Sequence, residues 1–110
     1  MNTTEEKVLP VIERKICPNH PGTVLKAFFL DELNITIKDF AEAIGVSRKA
    51  VSAIVNQHKS ITPEMAIRFS KALNTTADIW LNLQKNYDLW QAVHGNKTIF
   101  DKIKPLAASF

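Results

Sequence analysis

The sequence predicts an all-α domain of five helices, and three observations lead to this prediction. Apolar residues recur at spacings of three and four along most of the chain, and caps, Gly or Pro separate the periodic segments. No segment shows the alternation of a half-buried strand. The 110 residues suffice for one domain with a modest core. We divide the chain into an N-terminal arm at 1–19, a helical domain at 20–93 and a C-terminal tail at 94–110.

The second and third helices are predicted as a closely linked pair between Thr36 and Asn56. Thr36 and Ser47 are good N-caps for the two helices, and Gly45 supplies the left-handed residue that a tight turn requires. One buried stripe on the first helix of the pair consists of Ile37, Phe40, Ala41 and Ile44. A short amphipathic helix, a tight turn and a helix with a dense polar face form the pattern of a helix-turn-helix unit.

The third helix separates into two sides when its residues are advanced by about 100° each. Ala50, Val51 and Ile54 form the apolar side. The other side, which we call the recognition face, consists of Arg48, Lys49, Ser52, Ala53 and Asn56, with Val55 at its border. Arg and Lys donate to guanine, Asn pairs with adenine, and small apolar groups contact thymine methyls. The recognition face therefore predicts contact with the DNA major groove, although an ordinary solvated helix face has a similar composition.

The first and fourth helices are predicted to cover this pair. The first runs from about Thr23 to Asn34, and its inward side chains are predicted to be Leu25, Phe28, Phe29 and Leu33. The fourth begins at Thr62-Pro63-Glu64, where a hydroxyl cap, Pro at the first helical position and an acid coincide. Its predicted inward residues are Met65, Ala66, Phe69, Ala72 and Leu73.

The last helix, predicted at about Ala77 to Val93, is more apolar than one core-facing helix requires. One arc, predicted to pack on the other helices, holds Ile79, Trp80, Leu83, Tyr87 and Trp90. Leu81 and Leu89 lie outside that arc, and apolar residues on a second side of a helix often pack against another chain. The sequence therefore predicts a homodimer with Leu81 and Leu89 in the interface, unless the two are scattered surface leucines.

Charge and composition favour a DNA-binding protein and give no sign of an enzyme. The net charge is +3, and from Gly45 to Lys71 five cations (Arg48, Lys49, Lys59, Arg68 and Lys71) accompany one acid, Glu64, so the segment suits phosphate contacts. Lys59, in the loop after the third helix, is predicted to contact the DNA backbone. The widely spaced glycines form no phosphate loop, and no nucleophile with a partner stands out.

Cys17 and the N-terminus bear on metals and location. Cys17-x-x-His20 would be half of a metal site, but no second pair exists, so no metal and no cofactor are expected, and His20 is expected to cap the first helix or pack beside Pro21. A single cysteine, no apolar signal core and no membrane-length apolar run predict a cytoplasmic protein without a membrane partner.

Several short pieces of the chain carry a family resemblance. They are HPG at His20 to Gly22, FL at Phe29 and Leu30, FAEAIGVSR from Phe40 to Arg48, IT at Ile61 and Thr62, EMAIRF from Glu64 to Phe69, and WLNLQKNYDLW from Trp80 to Trp90. With these pieces the chain resembles the HigA (VapI-like) antitoxins of the lambda-repressor-like helix-turn-helix group over about two thirds of its length. The last piece is the most specific.

The resemblance implies a dimeric antitoxin that represses its own operator, on double-stranded DNA, and neutralises a RelE-like ribonuclease toxin. It implies that the DNA-facing residues are Thr36, Ser47, Arg48, Lys49, Ser52 and Asn56. Ile37 stands where many relatives carry Gln, so that contact is either absent or supplied by Lys38. Gln57 stands where Gly often follows the recognition helix.

Three alternatives remain open at this stage. The first is an orphan or phage-type regulator without a toxin. The second is a pure protein-interaction module, which Arg48 and Lys49 disfavour. The third is an enzyme. If a basic toxin exists, the arm is expected to bind it, because Glu5, Glu6 and Glu13 flank an apolar cluster at 8–12.

Overall fold

Within residues 15–108, the part of the chain that the computed structural model describes, the protein forms six helices and no strand. They are α1 at Pro21–Leu25, continued by a π-helical segment at Lys26–Leu30, then α2 at Ile37–Ile44, α3 at Arg48–Val55, α4 at Pro63–Leu73, α5 at Ala77–Gly95 and α6 at Lys97–Asp101. The predicted all-α fold with a long helix near its C-terminal end is confirmed. The short helix α6 is an addition, since it lies in the segment predicted as a tail. Most of the predicted arm, residues 1–14, lies outside the described residues.

Side-chain caps begin four of the helices, at Thr36, Ser47 and Thr62 as predicted and also at Thr76. The hydroxyl oxygens of Thr36, Ser47, Thr62 and Thr76 accept hydrogen bonds from the backbone N–H three residues later, at 3.0, 3.1, 3.2 and 3.3 Å. Each bond satisfies one of the N–H groups that a helix start leaves without an intrahelical partner. Gly45 ends α2 with φ 76°, in the left-handed region where a residue with a Cβ is strained. The turn between α2 and α3 is therefore set by the local sequence.

Three fully buried aromatic rings connect α2, α4 and α5. Phe40 and Phe69 meet edge to face with centroids 5.2 Å apart, and Phe69 meets Trp80 in the same way at 5.1 Å. The indole N–H of Trp80 donates to the Thr75 hydroxyl at 2.8 Å, so this large side chain is buried without an unsatisfied donor. Phe29, in the π-helical segment that continues α1, packs on Trp80 with ring centroids 5.6 Å apart and joins this segment to the same core.

The structure corrects the predicted inward face of the first helix. Phe28 and Leu33 are 63% and 57% exposed, whereas Leu30 is buried. A π-helical turn takes more residues than an α turn, so side chains after Lys26 rotate away from the positions that a 3.6-residue period predicts. The regular helix also stops at Leu30, not at Asn34.

Two further inward assignments are wrong, one in α5 and one in α4. On α5, Gln84 is buried with Trp80, which shifts the packed face so that Ile79 is half exposed and Leu81 packs, partly buried, against the core. In α4, Ala72 is exposed. Leu89 is 43% exposed, as expected for a residue outside the packed face.

Candidate nucleic-acid interface

A cleft of about 600 Å³ lies between the start of α2 and the exposed side of α3. It is lined by Thr36, Ile37, Lys38, Arg48, Lys49 and Ser52. Five of these six were predicted to face DNA, and the turn at Gly45 brings them together from two helices. The N-caps Thr36 and Ser47 are exposed, so the N-terminal ends of α2 and α3 lie at the surface beside this cleft. Backbone N–H groups at such helix ends attract anions.

The recognition face continues along α3 to the residue that ends it. Asn56 is exposed, and its side-chain nitrogen donates to the Ser52 hydroxyl at 3.2 Å. This bond restrains two rotamers on the side of α3 that carries Arg48 and Lys49. A prearranged amide and hydroxyl suit the hydrogen-bonding edges of bases in a major groove.

A second cleft, of about 410 Å³, lies between α3 and the start of α4. It is lined by Ser47, Lys49, Ala50, Ala53, Ile54, Lys59, Ser60, Thr62 and Met65. Lys49 lines both clefts, whereas Lys59 lines the second cleft but not the first. The structure therefore places Lys59 beside the recognition face and near the N-terminal end of α4.

Two expectations about this surface are corrected. Val55 belongs to the hydrophobic core, so it is not available as a contact for a thymine methyl. Arg68 is not a free member of the basic patch, because its guanidinium donates to the Ile44 carbonyl at 2.6 Å and pairs with Glu64 at 3.0 Å. The bond to Ile44 satisfies one of the carbonyls that the end of α2 leaves open.

Sequence reasoning missed the contacts that hold α3 in place. A Cβ built on Gly22 would come within 1.8 Å of the Ile54 carbonyl oxygen and 2.9 Å of the Val55 Cα. Only glycine lets α1 approach the backbone of α3 so closely. The HPG motif was the available signal, but its partner is more than thirty residues away in the sequence.

Gln57, directly after the recognition helix, has the left-handed backbone that favours glycine. Its φ of 63° lies in the left-handed region, which costs a residue with a Cβ about 1–2 kcal/mol. The side-chain nitrogen of Gln57 donates to the Thr23 hydroxyl at 2.9 Å, and this bond ties the exit of α3 to α1.

Gln84 of α5 fixes the segment that leads from α3 to α4. Its side-chain oxygen accepts from the Ile61 N–H at 2.7 Å, and its nitrogen donates to Asp88 at 2.9 Å. Its side chain thereby satisfies a buried backbone donor. Together with His20, Gly22, Thr23 and Gln57 it forms the set of residues that we call the brace.

His20 begins α1 as a cap, as predicted. Its Nδ1 atom accepts from the Gly22 N–H at 2.9 Å, so this nitrogen is not free to bind a metal beside Cys17. Within residues 15–108 no group of three or more His, Cys, Asp or Glu side chains is placed to hold a metal ion. In the same range no helix is both long and apolar enough to cross a membrane.

The fold and the clefts define a helix-turn-helix protein, and comparisons with known proteins agree. The helix-turn-helix family model matches residues 25–80. The chain is 41% identical over 81 residues to the HTH-type transcriptional regulator YbaQ of Escherichia coli K12, across 74% of this chain and 72% of that protein. It is 38% identical over 92 residues to antitoxin HigA-1 of Vibrio cholerae O1, across 84% and 87%.

A solved structure shows the same similarity in three dimensions. Antitoxin HigA of Pseudomonas aeruginosa, solved with the higBA promoter, superposes with a TM-score of 0.77 at 40% identity, across 82% of this chain and 99% of that one. The chain belongs to the HigA family of helix-turn-helix proteins. This is a DNA-binding family and not a family of enzymes.

Proposed function

We propose that this protein is the cytoplasmic antitoxin of a type II toxin-antitoxin module, which binds its operator as a homodimer, represses its own transcription and neutralises a RelE-like ribonuclease toxin. One observation carries the proposal. Residues predicted to face DNA come together in the cleft between α2 and α3, in a chain similar to a HigA solved with promoter DNA.

The DNA-binding part assigns separate tasks to the residues of this surface. Arg48 and Asn56 read bases, with Ser52 and Lys49 beside them on the recognition face. Thr36, Ser47 and Lys38, at the starts of α2 and α3, and Lys59, in the loop after α3, contact phosphates. Alanine at Lys59 should weaken binding to every duplex alike and reduce the slope of log affinity against log salt by about one unit. A larger loss on one sequence than on others would assign Lys59 to base contact instead.

The dimer rests on apolar surface that the described part of the chain leaves open. Leu89 of α5 is 43% exposed, and Ile99 and Phe100 of α6 are exposed as well. Leu81 also packs on the core, so its replacement tests folding together with association. Leu89→Glu is therefore the cleaner test, with Ile67→Glu, at an exposed isoleucine of α4, as the matched control. Sedimentation at micromolar concentration should show that only Leu89→Glu dissociates the dimer, and equal dissociation by both variants would contradict this interface.

For toxin neutralisation, we propose that the acidic N-terminal arm binds a basic toxin. The experiment is deletion of residues 1–14, because Cys17 contacts Gln91 at 3.6 Å and belongs to the folded part. The truncated protein should keep its DNA affinity and fail to rescue growth when the toxin is expressed. Full rescue would assign toxin binding to another surface.

An orphan regulator is the alternative function, supported by the similarity to a protein named only as a transcriptional regulator. A gene for a small ribonuclease next to the gene of this protein would decide against an orphan regulator.

A further inference from the structure

Two surfaces of the molecule carry large apolar side chains that the described part of the chain leaves exposed. The first, which we call the first-helix patch, consists of Phe28 in the π-helical segment and Leu33 just after it. The second, which we call the tail surface, belongs to α6 and the residues that follow, and consists of Ile99, Phe100, Ile103 and Leu106. Apolar groups exposed in this number on a small domain mark contact surfaces.

The tail surface is basic. Residues 97–106 contain three lysines and one acid, Asp101. Lys97 pairs with Asp101 at 3.8 Å, whereas Lys102 and Lys104 are exposed and form no ion pair with another residue of 15–108. The tail surface therefore combines apolar groups with two cations that the rest of the described chain does not neutralise.

The end of the molecule that carries the first-helix patch is acidic. Glu32, next to Leu33, and Asp78, in the first turn of α5, are exposed and form no ion pair within the described residues. Phe29 packs on Trp80 of α5, so the π-helical segment and the first turns of α5 lie at the same end of the molecule. This end therefore complements the tail surface in charge, and both are partly apolar.

The exposed side of α5 connects the two ends. When residues are advanced by about 100° each, Ile79, Leu89 and Val93 fall within an arc of about 80°. Ile79 and Leu89 are exposed and Val93 is half-buried. The remaining side chains of this arc, Asn82 and Asn86, carry no charge. This side of α5 therefore suits contact with another helix of the same kind.

The position of Leu89 determines what an antiparallel pair of α5 helices would bring together. At 1.5 Å per residue, Trp80 lies about 14 Å before Leu89 and Gly95 lies about 9 Å after it. In two copies related by a two-fold axis at Leu89, the end of one α5 thus reaches almost to the level of Trp80 in the other. Helix α6 and the residues after it then lie beside the partner's π-helical segment.

Charge favours this antiparallel arrangement over a parallel one. A parallel pair would place Lys102 and Lys104 of one copy beside the same lysines of the other, and like charges at a contact repel. The antiparallel pair places them at the end that carries Glu32 and Asp78. Opposite charges then meet at both ends of the pair.

We propose that the C-terminal segment of a second copy of this chain, residues 97–106, occupies the first-helix patch, so that two copies exchange these segments across an antiparallel contact of α5. The inference rests on the homodimer of the proposed function and names the surfaces that form it. Each dimer contains two identical contacts, and in each of them the tail surface of one copy covers Phe28 and Leu33 of the other.

Two substitutions of opposite charge test the exchange. Phe28→Lys brings a cation against the lysines of the tail surface, and Ile103→Glu brings an acid against Glu32 and Asp78. Both residues are exposed, so the helices should persist, as circular dichroism will show. In sedimentation equilibrium at fixed ionic strength, each variant should dimerise at least roughly tenfold more weakly than the unaltered protein, because both contacts of its dimer are damaged.

Ile67 of α4 provides the matched controls, because it is an exposed isoleucine outside both surfaces. Ile67→Lys and Ile67→Glu should each change dimerisation by less than about twofold. Weakening of the dimer by these controls as large as that by Phe28→Lys and Ile103→Glu would overturn the proposal.

A mixture of Phe28→Lys and Ile103→Glu tests whether the two residues share one contact. In a mixed dimer one contact is unaltered, and the other places the introduced lysine against the introduced glutamate. The mixed dimer should therefore form with an affinity within about threefold of the unaltered protein. The two variants differ in mass, so native mass spectrometry resolves the three dimers, and the mixed one should far exceed the share that random pairing gives.

Residues that act at separate places would give a different result. The affinity of the mixed dimer would then be the geometric mean of the affinities of the two variants, and that outcome would overturn the exchange. A mixture of Ile67→Lys and Ile103→Glu should show this uncoupled behaviour. If Phe28→Lys does not fold, Phe28→Ser replaces it, and its mixed dimer with Ile103→Glu should again be tighter than the geometric mean.

Failure of the exchange can be distinguished from failure of the proposed function. If the unaltered protein is monomeric at micromolar concentration, the proposed homodimer fails, and the exchange fails with it. If the unaltered protein is a dimer and Phe28→Lys and Ile103→Glu dimerise as well as the controls do, the homodimer stands and only the exchange is rejected.

Discussion

The recognition face and the brace lie on opposite sides of α3, and they differ in how the sequence encodes them. The recognition face consists of neighbours on one helix, with its cap and turn within a few residues. The brace joins residues that are distant in the chain, with Gly22 against Ile54 and Gln57 bonded to Thr23. The recognition face carries the side chains that we propose contact DNA. The brace fixes the position of α3 and therefore of those side chains. Substitutions on the two sides of α3 should therefore separate affinity from stability.

The largest effect is expected in the brace at Gly22. Gly22→Ala should destabilise the protein by at least about 3 kcal/mol, because its Cβ would overlap the Ile54 carbonyl and force two backbones apart. For a domain of this size that corresponds to a fall of more than about 10 °C in Tm, measured calorimetrically at fixed protein concentration.

Gly95 provides the matched control for this substitution. It lies at the end of α5 with no atom within 4 Å of a built Cβ. Gly95→Ala should leave the Tm unchanged or raise it slightly, since alanine is the better helix former. Similar falls in Tm for the two variants would contradict the close approach of α1 and α3.

The next largest effect is expected at Gln84, whose side-chain oxygen accepts a hydrogen bond from the buried Ile61 N–H. Gln84→Leu keeps the approximate volume but leaves the Ile61 N–H without its partner, which should cost about 1–3 kcal/mol in the free energy of unfolding. Asn82→Ala, at an exposed position of the same helix, should cost nothing measurable. Urea unfolding of both variants measures the difference in the free energy of unfolding. An unchanged value for Gln84→Leu would show that water replaces Gln84 as the partner of the Ile61 N–H.

The smallest effect is expected at Gln57, where strain and a hydrogen bond oppose each other. Gln57→Ala removes the bond to Thr23 and keeps the left-handed backbone, whereas Gln57→Gly removes both the bond and the strain. The glycine variant should be more stable than the alanine variant by about 1 kcal/mol. Equal stability of the two in urea unfolding would mean that the backbone at this position relaxes.

The same contrast explains which features the sequence predicted. Caps at Thr36 and Ser47 and the turn at Gly45 depend on residues close in the chain, and the structure confirms all three. The π-helical segment after Leu25 changed the inward side of the first helix, and no local pattern marks it. Gln84 was not recognised as a core residue, because a buried amide is explained only by its distant partner at Ile61.

Arg68 illustrates the limit of reasoning from charge alone. Its sequence position in a basic segment predicted a role at phosphates, but its guanidinium donates to the Ile44 carbonyl at the end of α2. Spacing within α4 reveals the pairing with Glu64 four residues earlier. It does not reveal a carbonyl twenty-four residues away.

Selection of duplexes from a random library tests the central claim, that the exposed side of α3 reads DNA bases, most directly. The wild-type protein should enrich an inverted repeat with half-sites about 34–36 Å apart or a multiple of that distance. Arg48→Ala and Asn56→Ala should each lose preference at one or two base pairs of the repeat, with about 1–3 kcal/mol of affinity. Recovery of the unaltered wild-type motif by both variants, or no enriched motif with the wild-type protein, would contradict the claim.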